Sequence, residues 1–148
     1  AEALDIADRI AVMEAGRIVQ FASPQELHDA PASAAVGAMF GGAQVVAARR
    51  GESGFVTGFG LWPVDCALGP VPDAAELDLL VHADALDLAP DAEGLRVRDC
   101  HVQGKGVRVV LVAPDGTEIT AETESPVSGE ERYRVTPRAG SLRVFARR

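Results

Sequence analysis

From Gln44 onward, Gly, Pro and Asp cut the chain into short apolar and β-branched runs, and this punctuation limits the fold more than any other feature. The runs are Gln44–Ala48, Gly54–Phe59, Val64–Leu68, Leu77–Val81, Leu95–Val102, Val107–Val112, Glu118–Thr123, Arg132–Thr136 and Leu142–Phe145. Their spacing and the Gly/Pro/Asp punctuation predict a mainly β fold, a small barrel or sandwich. The clearest hairpin joins Val107–Val112 to Thr117–Thr123 through Ala113-Pro114-Asp115-Gly116. Pro114 presets φ there, and Gly116 accepts the positive φ that the turn demands.

The first residues have another texture. Leu4, Ile6 and Ala7 set a short helical face. Ile10, Val12 and Met13, the turn Glu14-Ala15-Gly16-Arg17, and Ile18, Val19 and Phe21 predict a β-hairpin. Ser23 suits an N-cap, with Pro24 at the first helical position and Glu26 three residues after the cap. That helix runs to about Asp29. Pro31 then separates it from an Ala-rich helix ending near Gly41-Gly42, the expected domain boundary. The expected division is therefore an α/β helix–hairpin–helix piece over residues 1–42 and a β-rich domain over 43–148.

Charge and composition exclude several classes. Fourteen Lys and Arg stand against 22 Asp and Glu, a net charge of −8, which opposes binding to a phosphate backbone. Two cysteines, Cys66 and Cys100, make no disulfide framework. The uncharged run Ala30 to Ala48 contains Pro31, Gly37, Gly41 and Gly42, and is too weakly apolar for a membrane span. No basic segment followed by an apolar stretch marks a signal peptide.

One string carries a resemblance. Glu2-Ala3-Leu4, Ala7-Asp8-Arg9-Ile10, Val12-Met13, Gly16-x-Ile18-x-Gln20 and Pro24-x-Glu26-Leu27 follow in order, then Pro31 and Phe40-Gly41. This resembles the C-terminal end of the nucleotide-binding domain of bacterial ABC importer ATPases. The β-rich remainder is similar to the accessory TOBE domain of the same family, an OB-like small β-barrel. The resemblance implies a C-terminal regulatory or dimerisation portion of an importer's ATP-binding subunit, in the branch most like the ferric-iron importers. It also implies the partners of the intact protein: a second ATPase copy, membrane permease subunits, a periplasmic binding protein, and ATP with Mg. The place implied is cytoplasmic, peripheral at the inner face of the cell membrane. An oxyanion- or small-ligand-sensing barrel is the alternative. Two positions depart from the family pattern: His82-Ala83-Asp84 stands where these importers carry Arg-Pro-Glu, and His28 replaces a Tyr.

No catalytic, cofactor-binding or metal residue is assigned. A phosphate-cradling loop needs G-x-x-x-x-G-K-[ST], and no such string occurs. Gly104-Lys105-Gly106 reads as a tight turn, and Phe40-Gly41-Gly42-Ala43-Gln44 as a linker. The ATP chemistry is expected upstream of Ala1, and this chain is expected to be inactive alone. His28, His82 and His101 lack paired zinc spacing with Cys66 or Cys100. Cys100 is expected in the core and His101 in solvent. Ser53-Gly54 and Ser128-Gly129 are expected loops, Glu118–Glu131 a solvated edge, and Arg147-Arg148 a solvated tail. Gly51–Pro63 reads either as a binding groove or, preferably, as twisted strand around a buried Trp62. The apolar faces around Leu4, Ile6, Ile10, Val12, Ile18, Val19, Phe21 and Leu27 are expected to lack cover, and a dimer formed largely through the barrel is expected.

Overall fold

A computed structural model describes residues 6–40 and 43–147. Leu4, which begins the opening helical face, the proposed boundary glycines Gly41 and Gly42, and Arg148 lie outside the described residues. The fold is mainly β. Strands β1 (Ile10–Glu14) and β2 (Arg17–Ala22) form the expected antiparallel hairpin. Its two-residue turn places Ala15 at φ 49° and Gly16 at φ 79°, the mirror-image geometry that matches strand twist. Helix α1 (Pro24–Asp29) starts as its sequence dictates: Ser23 is the cap, and its Oγ accepts from the Glu26 N–H at 3.2 Å. Helix α2 covers Ala34–Phe40.

The remaining strands build two antiparallel sheets. Strands β3 (Gln44–Arg50), β4 (Gly54–Thr57), β5 (Gly60–Pro63), β6 (Glu76–Val81) and β11 (Arg143–Ala146) form one, ordered β11-β6-β3-β4-β5. Strands β7 (Leu86–Gln103), β8 (Gly106–Val112), β9 (Glu118–Thr123) and β10 (Arg132–Pro137) form the other, ordered β10-β7-β8-β9. Both sheets supply one core, with Phe55, Trp62, Leu77 and Leu79 from the first and Val109, Leu111, Ile119 and Val135 from the second. Gln44 ties the sheets by side chain: its Nε2 donates to the Thr120 carbonyl at 2.6 Å, and its Oε1 accepts from the Thr120 N–H at 3.0 Å.

Four expectations are corrected. Gly54–Phe59 is not one strand: the chain turns at Gly58-Phe59, giving the β4–β5 hairpin, because Thr57 Oγ1 accepts from the Phe59 N–H and donates to the Gly60 carbonyl. Val64–Leu68 is not a strand; Val64–Cys66 is a 3-10 turn after Pro63. Strand β7 begins at Leu86, nine residues before the expected Leu95. Its first part pairs with β10 and its second with β8, and residues 91–95 bulge out between the pairs Tyr133↔Pro90 and Arg132↔Arg96. That bulge curls the sheet toward a half-barrel. Arg147 is no free tail: its Nε donates to Asp78 Oδ1 at 3.1 Å, and its Nη2 to the Leu77 carbonyl at 3.1 Å.

The first residues own a small core. Ile10, Val12, Ala22, Leu27 and Val36 bury one another, so the hairpin and α1 cover part of the apolar surface expected to lack cover. Ile6, Ile18, Val19 and Phe21 remain exposed, as does Met13. Gly37 seats α2 on β6, because a Cβ at that position would lie 2.3 Å from Leu80 Cδ2. Leu80 is therefore buried although it faces away from the core that Leu77 and Leu79 enter.

Candidate functional site

Where α1 meets the β-rich part, a cleft of about 280 Å³ opens between His28, Asp29, Leu68, Leu80, His82, Ser141 and Arg143. The last turn of α1 delivers His28 and Asp29. His82 follows β6 and begins the 3-10 turn Ala83–Ala85, its carbonyl accepting from the Ala85 N–H at 3.0 Å. Ser141 and Arg143 come from the approach to β11 and its first residue.

Geometry orders this cleft. Asp29 Oδ1 lies 3.0 Å from His28 Nδ1, and Asp29 Oδ2 accepts from Gln25 Nε2 at 2.6 Å. These hydrogen bonds, that from Gln25 first, hold the Asp29 carboxyl below the usual aspartate value, with His28 and Arg143 adding charge stabilisation. The imidazole of His28 lies 5.2 Å from that of His82, centroid to centroid, with the ring planes 34° apart. Thus two histidines far apart in the sequence meet in space. Sequence spacing gives no hint of this, since strands β3 to β6 intervene.

A second hollow of about 360 Å³ lies on the outer face of β3, β4 and β6, lined by Arg49, Thr57, Glu76 and Arg147 among others. Arg147 is occupied there by Asp78 and Glu76.

The other singled-out residues stay apart. Gly104-Lys105 is the β7–β8 turn, with Gly104 at φ 56°. Trp62 is 1% exposed and stacks on Phe59 at 6.4 Å, so Gly51–Pro63 is packed strand around a buried indole and not a groove. Cys100 is exposed, against expectation, because β7 has outrun β10 at that point and forms the sheet edge. His101 is solvated and sits 2.9 Å from Asp99 Oδ2. Strand β9 is the expected charged edge: Glu122 pairs with Arg108 at 2.9 Å and Glu118 with Arg98, while Ile119 and Ala121 enter the core. Among the described residues, no three His, Cys, Asp or Glu side chains converge as a metal cage. Nor is any helix long and apolar enough to cross a membrane.

The cysteines give a direct test of this placement. Burial pushes the Cys66 thiol up, with Asp65 adding to it, and Cys66 Sγ donates to the Pro137 carbonyl at 3.1 Å. A thiol reagent is expected to modify Cys100 at once, and Cys66 only as fast as the fold opens. Two thiols reacting equally fast in native buffer contradict this arrangement.

No protein-family model matches the chain. A Fe(3+) ions import ATP-binding protein of Rhodococcus jostii is 31% identical over 115 residues, covering 74% of this chain and 31% of the relative. An sn-glycerol-3-phosphate import ATP-binding protein of Cereibacter sphaeroides is 31% identical over 152 residues, covering 97% of this chain and 42% of the relative. A sulfate/thiosulfate import ATP-binding protein of Mycobacterium bovis is 58% identical over 41 residues, which is 28% of this chain and 12% of the relative. The chain therefore spans less than half the length of the curated relatives it matches. With near-complete coverage of this chain at such identity, the chain belongs to the family of bacterial ABC importer ATP-binding subunits.

Proposed function

We propose that this chain is the C-terminal regulatory and dimerisation portion of an importer's ATP-binding subunit. In this reading residues 1–42 are the last edge of the nucleotide-binding domain with its linker helix, and residues 43–148 are the OB-like TOBE domain. The observation that carries it is the pair of separate cores, one built by β1, β2, α1 and α2, the other by the two larger sheets. The outer face of the hairpin leaves Met13, Ile18 and Phe21 exposed, a surface suited to the remainder of a longer nucleotide-binding domain. ATP and Mg belong to the intact subunit, whose partners are a second copy and membrane permeases at the inner face of the membrane. Ferric ion is the solute class of this reading, supported by the Rhodococcus relative; the other relatives carry different solutes in their names.

The exposed edge at β5 supports the dimerisation part of this reading. β5 is an edge strand, and its Leu61 pairs with Val56 of β4 on the outer face, both exposed. The charge of −8 opposes association, but salt screens it within about 8 Å at physiological strength. Apolar burial at about 25 cal/mol per Å² is not screened. Sedimentation equilibrium is expected to give a dimer whose population grows with salt. A 15.5 kDa monomer at every salt concentration removes the dimerisation role.

The regulatory reading is tested by a chimera in which the upstream part of the Cereibacter subunit precedes this chain. The chimera is expected to hydrolyse ATP, while this chain alone gives no heat of binding with Mg-ATP. Micromolar ATP binding by the chain alone overturns the assignment. So does a folded chimera unable to bind its permease. The alternative, an oxyanion-sensing barrel, is favoured if sulfate or molybdate binds the isolated chain stoichiometrically.

A further inference from the structure

We propose that His28 and His82 form a two-histidine site for a divalent transition cation of the zinc class, bridging α1 and the β-rich part. Two imidazoles sharing one tetrahedral ion through N–metal bonds of about 2.0–2.1 Å have ring centroids about 5 Å apart. The observed separation is 5.2 Å. The tautomer is also set. Asp29 Oδ1 accepts from His28 Nδ1, which leaves the lone pair on Nε2, the nitrogen that a metal takes when a carboxylate orients the ring from behind. Asp29 is held in that role from its other oxygen by Gln25.

Charge in the cleft is compatible with a cation. Arg143 lines the same space and opposes it, but Asp29 offsets that charge, and neutral imidazoles supply lone pairs without adding any. The Asp29 carboxylate, more than half exposed, also makes the cleft a poor oxyanion receptor. Since only two protein ligands meet, water or an added ligand completes the coordination, and the site is open and reversible.

The consequence is a clamp. His28 belongs to the piece with the small core and His82 to the β-rich part, so one ion ties together elements otherwise joined by α2 packing on Leu80. Cation binding then stiffens the junction. This inference does not depend on the solute or on dimerisation.

Calorimetric titration of the whole chain with zinc chloride, in a buffer that does not bind metal, is the test. One zinc per chain is expected, with binding weakened at least tenfold by His28→Ala and by His82→Ala separately. The His101→Ala variant controls for the other His–carboxylate pair, His101 with Asp99, and is expected to bind as the parent does. Asp29→Asn is expected to weaken binding less than either histidine variant does. Cobalt substituted for zinc is expected to give the visible spectrum of a nitrogen–oxygen site, lost in His82→Ala. Circular dichroism establishes that each variant is folded. The proposal is overturned if His28→Ala and His82→Ala bind like the parent, if His101→Ala abolishes binding, or if no stoichiometric binding occurs.

Discussion

Trp62→Ala is expected to destabilise the chain by about 3–5 kcal/mol, a large share of the stability that a domain of this size holds. Trp62 stands on β5 with 1% of its surface exposed, in the core shared by both large sheets. Its indole N–H donates to the Val135 carbonyl of β10 at 2.9 Å, so the residue joins the sheets by volume and by a hydrogen bond. Truncation removes the aromatic packing on Phe59 and leaves a buried carbonyl without its donor. Trp62→Phe separates the two effects, keeping most of the apolar volume while losing the N–H. Its expected loss is about 1–3 kcal/mol, that of an unsatisfied buried group. Urea unfolding should be followed by circular dichroism, since Trp62 is the only tryptophan and its fluorescence disappears with it. A loss under about 1 kcal/mol for Trp62→Ala contradicts a common core between the sheets.

Local chemistry made much of this fold readable. Ser23, Pro24 and Glu26 specify a helix start through neighbouring groups, and Pro114 to Gly116 specify a turn in the same way. In that turn the Gly116 N–H donates to the Ala113 carbonyl at 2.9 Å, and Asp115 Oδ1 accepts from the Thr117 N–H. Such contacts span three residues or fewer, so the sequence contains both partners.

What stayed hidden depends on distant partners. The first half of β7 carries Asp87, Pro90, Asp91, Glu93 and Gly94, a composition that reads as loop. It is strand because β10 lies alongside it, and Gly94 is required where a Cβ would strike the Tyr133 backbone at 2.5 Å. Cys100 was misplaced because its type favours burial, whereas the end of β10 decides its exposure. Arg147 meets Asp78 only after β11 pairs with β6. The junction cleft is the extreme case: His28 and His82 show no motif, and only the packing of α2 on β6, with α1 against α2, brings their rings together.

The same dependence on a distant backbone makes Gly54 the other position of large effect. A Cβ there would lie 2.2 Å from the Trp62 carbonyl oxygen and 3.1 Å from its carbon, both main-chain atoms with no rotamer to yield. Gly54 also sits at φ 156°, opposite Pro63 in the β4–β5 register, and its carbonyl accepts from the Gly51 N–H at 2.8 Å. Relief of the clash requires β5 to move away from β4, and β5 carries Trp62 out of its packed position as it moves. Gly54→Ala is therefore expected to destabilise by about 3 kcal/mol, the upper end for overpacking. Gly58→Ala is the control, because nothing lies within 4 Å of a Cβ in that turn. Its effect should stay within about 0.5 kcal/mol, as at ordinary surface sites. The strand shift also predicts coupling. Once Gly54→Ala has displaced Trp62, the indole no longer meets the Val135 carbonyl, so adding Trp62→Phe costs less than it does in the parent. Thermal and urea unfolding of both singles and the double measure this directly. Strict additivity, or a Gly54→Ala variant as stable as Gly58→Ala, would show that β5 is not held against β4 through the Trp62 backbone.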